Sequence, residues 1–302
     1  MNQKKILVVG SSNTDMVIQT HHFPAPGETI LGGRFLMNAG GKGANQAVAA
    51  ARLGGKVTFV GKIGDDIFGK QAVLQLSDEG INVDFVSVDP VYPSGVALIT
   101  VDQKGENSIV VASGSNGTLT PADFDKALTE LEDSEFVLMQ LEIPVPTVEY
   151  IARKAVQKQK KVILNPAPAA ELSVELLQNL YLITPNETEA ELLTGIKVTD
   201  EQSALKAATW LHEKGVEMVI ITLGAAGAFL LSNGKSEIIK APKVIAVDTT
   251  AAGDTFSGAL AVALSEGKSI QESIAFANKA ASISVTRIGA QSSVPYRKEI
   301  SN

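Results

Sequence analysis

The sequence predicts an α/β fold: a mostly parallel central sheet with helices on both faces. Three observations predict it. Short apolar runs such as KILVVG (Lys5–Gly10) recur along the chain, as strands buried on both faces do. Stretches of helical periodicity closed by glycine separate them, such as ANQAVAAARL (Ala44–Leu53) before Gly54 and Gly55. From Pro121 onward the two kinds alternate regularly, the order of βαβ units.

The elements follow in chain order. KILVVG predicts a buried strand and Ala44–Leu53 a helix; Val57–Gly61 predicts a second strand, and Phe68–Glu79 a helix stopped by Gly80. Strands follow at Glu135–Gln140, Lys161–Asn165, Leu180–Thr184 and Met218–Thr222. The intervening and later helices are predicted at Val145–Gln159, Glu187–Leu193, Asp200–Lys214, Gly253–Glu266 and Ile270–Thr286. Residues 13–38 and 90–112, approximately, break the pattern. They are β-rich, punctuated by Gly and Pro, and include VALITVD and NSIVVA joined by the turn-like QKGEN. Such segments pair as edge hairpins or as a small sheet that serves as a lid or dimer contact. The expectation is one domain over residues 1–302, with a lid built from these two segments.

Composition narrows the function classes. Of 302 residues, 45% are hydrophobic and 20% charged, ordinary for a globular chain with a sizeable core. A net charge of −7 argues against a basic nucleic-acid or membrane-surface binder. With no cysteine there is no disulfide, thiolate metal site or cysteine nucleophile. His21 and His22 are adjacent in a polar stretch and there are three histidines in all, which argues against a histidine-based metal site. The apolar run near the start is too short for a signal peptide, and no run reaches the length of a membrane span. Cytoplasmic residence is the expectation.

Five stretches can carry chemistry. In VDTTAAGDTFSGAL (Val247–Leu260), small residues precede Asp254 and a helical pattern follows. Ala251, Ala252 and Gly253 permit close backbone approach, and a helix start offers unpaired N–H groups to an anion. Asp254 is then either a cap for the first turn or a base beside a transferring phosphoryl group. In NAGGKGANQAVAAARLGG (Asn38–Gly55), glycines surround Lys42 before a helix. This is not a Walker loop, which needs four residues between its first Gly and GK[ST]. Lys42 and Asn45 can bind hydroxyls or phosphate, or the stretch is an ordinary turn.

GSSNTD (Gly10–Asp15) follows the first strand, where open sheets bind ligands. Asn13 and Asp15 there suit vicinal hydroxyls, or simply a turn. In TPNETE (Thr184–Glu189), Thr184 with Glu187 reads as a capping box, with Pro185 at the first helical position. Asn186 and Glu189 remain to organise water around a metal–nucleotide. TLGAAGAF (Thr222–Phe229) is a strand end and turn that either cradles a nucleotide or only turns the chain.

The order of these motifs resembles the ribokinase-like carbohydrate kinase family over essentially the whole chain. NAGGKGANQAVAAARLGG and DTTAAGDTFSGAL are similar to its two signature regions. GENSIVVASGSN (Gly105–Asn116), VTRIGAQSSVP (Val285–Pro295) and the run AAGD are similar to its ribose-phosphorylating branch. The resemblance implies phosphorylation of the D-ribose 5-hydroxyl from ATP with Mg²⁺. It implies Asp254 as general base and Ala251, Ala252 and Gly253 as the anion hole. Asn13, Asp15, Gly41, Lys42, Asn45 and Glu142 would hold the sugar. Asn186 and Glu189 would lie near Mg²⁺ and phosphates, with Thr222, Gly224, Gly227 and Asn278 around the nucleotide. A potassium activator is implied at Asp248, Thr250, Ser284, Gly289 and Ser293. A homodimer through the lid is implied as well.

Three other readings compete. A kinase of the same fold could act on deoxyribose, fructose or a nucleoside such as adenosine. A non-catalytic sugar or nucleotide sensor would be expected to lack the base, and Asp254 is present. A dinucleotide-dependent oxidoreductase needs G-x-G-x-x-G, whereas Ser11 and Ser12 follow Gly10.

Overall fold

The computed structural model describes residues 4–31 and 33–300. Its large sheet runs β13 (Lys235–Ile239), β12 (Ala228–Ser232), β11 (Met218–Thr222), β10 (Leu182–Ile183), β9 (Lys161–Leu164), β8 (Ser134–Met139), β1 (Lys5–Val9), β4 (Lys56–Gly64) and β5 (Asn82–Asp89). From β11 to β5 the neighbours are parallel. β12 and β13 are antiparallel additions at one edge.

Successive residues of each central strand face opposite layers. Leu7, Val9, Val137 and Met139 pack on one side. That side is covered by α3 (Pro121–Asp125), α4 (Leu128–Asp133), α5 (Val145–Gln157), α6 (Val174–Gln178), α7 (Glu187–Thr194) and α8 (Glu201–Glu213). Ile6, Val8, Phe136 and Leu138 pack on the other, under α1 (Lys42–Arg52), α2 (Ile67–Asp78), α9 (Ala252–Ser265), α10 (Ile270–Ser284) and α11 (Arg297–Ile300). The predicted fold class is therefore observed, helices on both faces included.

A separate small sheet runs β3 (Arg34–Gly40), β2 (Asn13–Gln19), β6 (Gly95–Val101) and β7 (Asn107–Ala112). Register places Met16, Met37, Leu98 and Val110 in one column, with Ile18 beside Phe35. Column neighbours share a face, so one face is apolar. It is also exposed: Phe35 is 58% and Val110 65% accessible. Asn13, Asp15, Asn38 and Gly40 belong to the opposite face.

Several elements differ from the sequence expectation. Within Leu180–Thr184 the regular strand is only Leu182–Ile183, although Tyr181 and Thr184 still donate to the Val162 and Leu164 carbonyls of neighbouring β9. Asn82–Asp89 is an edge strand whose half-exposed residues alternate polar and apolar, unlike the continuous runs of the interior. The β12–β13 hairpin turns at Asn233 and Gly234, both with positive φ, the turn that Asn-Gly favours. The cap of α7 is Asn186 with Glu189, not Thr184 with Glu187. Thr184 is buried at the end of β10, its hydroxyl 3.4 Å from that of Ser257, and the Pro185 carbonyl accepts the Thr222 N–H at 2.9 Å.

Candidate active site

β1 is flanked by β4 on one side and β8 on the other, so the chain leaves it in both directions. Open α/β sheets bind ligands at the carboxyl ends beside such a reversal. Here β1 leads into Ser11 and Ser12, β8 into Gln140 and Glu142, β9 into Asn165, β10 into Thr184 and Asn186. The β9, β10 and β11 ends, with Lys42 and the start of α9, enclose a cavity of about 180 Å³ lined by Asn165, Thr184, Asn186, Glu189, Thr222 and residues 251–254 among others.

Asp254 lies in the first turn of α9 and is 6% exposed. It is not the helix cap. That position belongs to Ala251, held left-handed at φ 57, and no side chain caps the helix. Instead Asp254 Oδ2 accepts from Asn45 Nδ2 at 2.9 Å and Oδ1 from Gln46 Nε2 at 3.0 Å. The Ala252 N–H turns back to the Thr249 carbonyl at 3.2 Å. The N–H groups without a backbone acceptor among the described residues are therefore those of Ala251, Gly253 and Asp254. The Ala252 N–H is an exception within the run expected to bind an anion.

Of the expected sugar residues only Lys42 lines that cavity; Asp15, Asn45 and Glu142 lie beside it around Lys42 and Asp254. Glu142 Oε2 accepts from the Ser11 hydroxyl at 2.5 Å and the Lys42 N–H at 3.0 Å. Gly41 has φ 87, and a Cβ there would meet the Asn13 N at 2.7 Å, so the loop before α1 needs glycine. A Cβ on Gly40 would fall 2.2 Å from the Asp15 carboxylate. Asn45 Oδ1 is buried without a partner among the described residues. Burial pushes Asp15 up to about 7, with Glu142 and Asp254 adding repulsion. Burial pulls Lys42 down, but Asp254 and Glu142, with Glu189 and Asp15, outweigh it and hold the ammonium above its ordinary value.

Asn186 and Glu189 bond each other's backbone N–H at 2.8 and 2.9 Å, and burial pushes the Glu189 carboxyl up. A backbone bridge joins Asn186 to Thr222. Gly224 begins the turn after β11, and Gly227, at φ 104, ends it against residues 239–241. Asn278 on α10 donates to the Ile239 carbonyl at 2.9 Å, which places it beside that turn. These three lie outside the cavity lining that holds Thr222.

Asp248 Oδ1 accepts the Thr250 N–H at 2.9 Å and Oδ2 the Gly289 N–H at 2.8 Å. Burial works against its charge, but these bonds and the Thr250 side chain hold it below the usual carboxylate range. Ser284 and Ser293 are fully buried and donate to the Ala281 and Ala290 carbonyls. Sequence reasoning passed over Ser11, Gln46, Gln140 and Asn165. Gln46 carried a signal, a polar residue on an otherwise alanine-rich buried helix face.

The pfkB family of carbohydrate kinases matches residues 3–297. The chain belongs to that family. Among pfkB relatives it is similar to a ribokinase of Haemophilus influenzae, 51% identical over 297 residues, 98% of this chain and 97% of that one. The solved structure of Arabidopsis thaliana ribokinase complexed with ribose and ATP has a TM-score of 0.93 at 36% identity, covering 98% of this chain and 97% of that one. Ribokinase from Thermotoga maritima gives 0.91 at 41% identity, covering 99% and 98%. The resemblance read from the two glycine-rich regions is thus borne out.

Proposed function

We propose that this chain transfers the γ-phosphoryl group of ATP to the 5-hydroxyl of D-ribose, with Asp254 as general base. One observation carries the reading. A buried carboxylate, gripped by two amides, sits beside unpaired N–H groups at a helix start. The carboxylate accepts the hydroxyl proton as oxygen attacks phosphorus. The N–H groups, from Gly253 above all, face the charge on the transferring oxygens.

Asn13, Asp15, Gly41, Lys42, Asn45 and Glu142 hold the sugar. Asn45 supports this directly. Its donor is committed to Asp254, and its unpaired oxygen carries a desolvation cost of about 1–3 kcal/mol that a sugar hydroxyl would relieve. Asn186 and Glu189 lie on the phosphate side, and Thr222, Gly224, Gly227 and Asn278 on the nucleotide side. Bound Mg²⁺ would neutralise charge on the phosphates, through water held by Asn186 and Glu189, whose capping bonds leave lone pairs free.

A potassium ion fits the residues around Asp248. They offer one carboxylate, the hydroxyls of Ser284 and Ser293, and oxygens at Thr250 and Gly289, all hard donors. Bound there, the ion would fix the N–H directions of the 251–254 loop. The small sheet acts as a lid, and its apolar face, with half-buried Met16 among exposed Ile18, Phe35, Met37, Leu98 and Val110, pairs with a second copy. A monomer mass by light scattering at micromolar protein would sink the dimer. Absence of cysteine favours the cytoplasm. No helix among the described residues is long and apolar enough to cross a membrane.

The test is ADP release from ATP and Mg²⁺ in potassium buffer with D-ribose, 2-deoxyribose, fructose or adenosine. Preference for ribose is expected. Preference for another acceptor would reassign the specificity, and no turnover with any would overturn the kinase reading.

A further inference from the structure

Behind Asp254 runs a chain of buried amides that reaches well past the reacting atoms. Gln46 Nε2 donates both to Asp254 Oδ1 and to Asn165 Oδ1, each at 3.0 Å. Gln46 Oε1 accepts from Gln140 Nε2 at 2.6 Å. Asn165 Nδ2 donates onward to the Thr184 carbonyl at 3.2 Å. Gln46 and Gln140 are wholly buried. The network admits one sense for Gln46. Turned over, its oxygen would face the Asp254 carboxylate and its amide would meet the Gln140 amide donor.

Ordinary core packing does not account for this chain, because apolar residues would fill the same space without buried polar groups. Gln140 Oε1 is left buried without a partner among the described residues. The backbone also makes room for it. A Cβ on Gly258, one turn beyond Asp254, would lie 2.6 Å from the Gln46 carbonyl and 2.7 Å from Ala49 Cβ. A Cβ on Gly10 would fall 2.1 Å from Gln140 Oε1. Glycine at both positions lets α1 and α9 close on the amides.

We infer that Gln46 is a positioning residue for phosphoryl transfer: it fixes the rotation of the Asp254 carboxylate, and Gln140 and Asn165 lock the Gln46 amide in its donating sense. Asn45 holds the oxygen nearer the sugar residues and Gln46 holds the other, so the carboxylate plane is set from two sides. The charged groups whose fields reach Asp254 are Lys42 from α1, Asp15 from β2 and Glu189 from α7. None of them fixes this rotation, because the hydrogen bonds to the carboxylate come from Asn45 and Gln46. The inference rests on Asp254 as the base.

The experiment measures kcat and KM for ribose and ATP, from pH 5.5 to 9, in the wild-type chain and in Gln46→Met and Gln46→Glu. Met keeps the volume and removes both donors. It should lower kcat roughly tenfold or more, the scale of a misplaced catalytic group, with both KM values within about threefold. Glu sets a like charge against Asp254, so the acid limb of its kcat profile should move to higher pH. A rise in KM at nearly constant kcat, or an acid limb unchanged in Gln46→Glu, would overturn the inference. If either variant fails to fold, Gln140→Met, which removes the donor that holds Gln46 Oε1, is read by the same kcat-against-KM split. Asp254→Asn separates the two readings. Near-normal turnover there removes the base itself. An inactive Asp254→Asn beside Gln46 variants of wild-type kcat and profile removes only the positioning role.

Discussion

Asn116 Nδ2 donates to Asn13 Oδ1 at 2.8 Å, while Asn116 Oδ1 accepts the Ser12 N–H at 2.9 Å. Both asparagines are buried. The same Nδ2 also reaches the Ser12 carbonyl at 3.1 Å. Asn116 thus pairs with the Ser12 backbone as a neighbouring strand would, in the gap between β1 and β2. With its oxygen taken, Asn13 keeps its Nδ2 for the role proposed for it, donation to the sugar.

Asn116→Leu should strip partners from the Ser12 backbone and from Asn13 at once. Each buried group left unpaired costs about 1–3 kcal/mol, so the denaturation midpoint should fall. KM for ribose should rise by about tenfold or more, the equivalent of one lost hydrogen bond of ~1.4 kcal/mol. KM for ATP should stay within about twofold. Steady-state kinetics with each substrate varied in turn decides it: equal changes in both KM values would mean general loosening instead.

Asp15 makes a pH prediction. In the folded chain burial first, then Glu142 and Asp254, raises its carboxyl to about 7 from an ordinary 3.8. Between those values the folded state holds a proton that the unfolded chain has lost. Stability attributable to Asp15 therefore falls as pH rises through that window. Asp15→Asn has no proton to lose. Without sugar, its denaturation midpoint relative to wild type should climb from pH 4 to pH 7 and then level off. Parallel pH curves for the two proteins would refute the raised value.

Much of the fold was legible because its rules are local. Continuous apolar runs bounded by glycine, as in KILVVG, identify strands that bury both faces. The edge strand Asn82–Asp89 was not legible that way, since one side of it meets water. The β12–β13 hairpin carried a readable Asn-Gly turn that went unused. At the site, Asp254 and Lys42 stood out because glycine surrounds them. Gln46, Gln140 and Asn165 lie 94 or more residues from at least one partner, at 2.6 Å for Gln140 with Gln46 and 3.0 Å for Gln46 with Asn165. No local pattern reports a contact of that kind. The cap of α7 was misplaced for the opposite reason, since a plausible cap two residues before Asn186, Thr184, lies just past the end of β10.

Asp248 ties the loop before α9 to Gly289, and on the proposed potassium site its substitution should act through that cation. Wild type should turn over faster in potassium than in sodium buffer. Asp248→Ala should lower activity and flatten that difference, while the melting temperature shifts only modestly. Coupled-assay rates across a potassium titration at constant ionic strength provide the comparison. A variant that keeps the full potassium response would place the activating ion elsewhere.

Gly253 separates catalysis from stability most directly. A Cβ there meets nothing within 4 Å, and its φ is not positive. The residue is exposed in the first turn of α9. On structural grounds Gly253→Ala is harmless, and helix propensity favours it by up to about 1 kcal/mol. On the phosphoryl-transfer reading the added methyl stands where the transferring oxygens approach the Gly253 and Asp254 N–H groups. The expected result is an unchanged or slightly raised melting temperature together with a kcat reduced by roughly 10²-fold, the scale of one lost oxyanion donor. Gly43 provides the contrast. A Cβ there would lie 2.6 Å from the Gly10 carbonyl carbon and the Ser11 N, so Gly43→Ala should lose about 1–3 kcal/mol of stability through overpacking. Melting curves and kcat for both variants, side by side, test the assignment. A Gly253→Ala protein with wild-type kcat would show that the open space before α9 is not where the phosphoryl group passes.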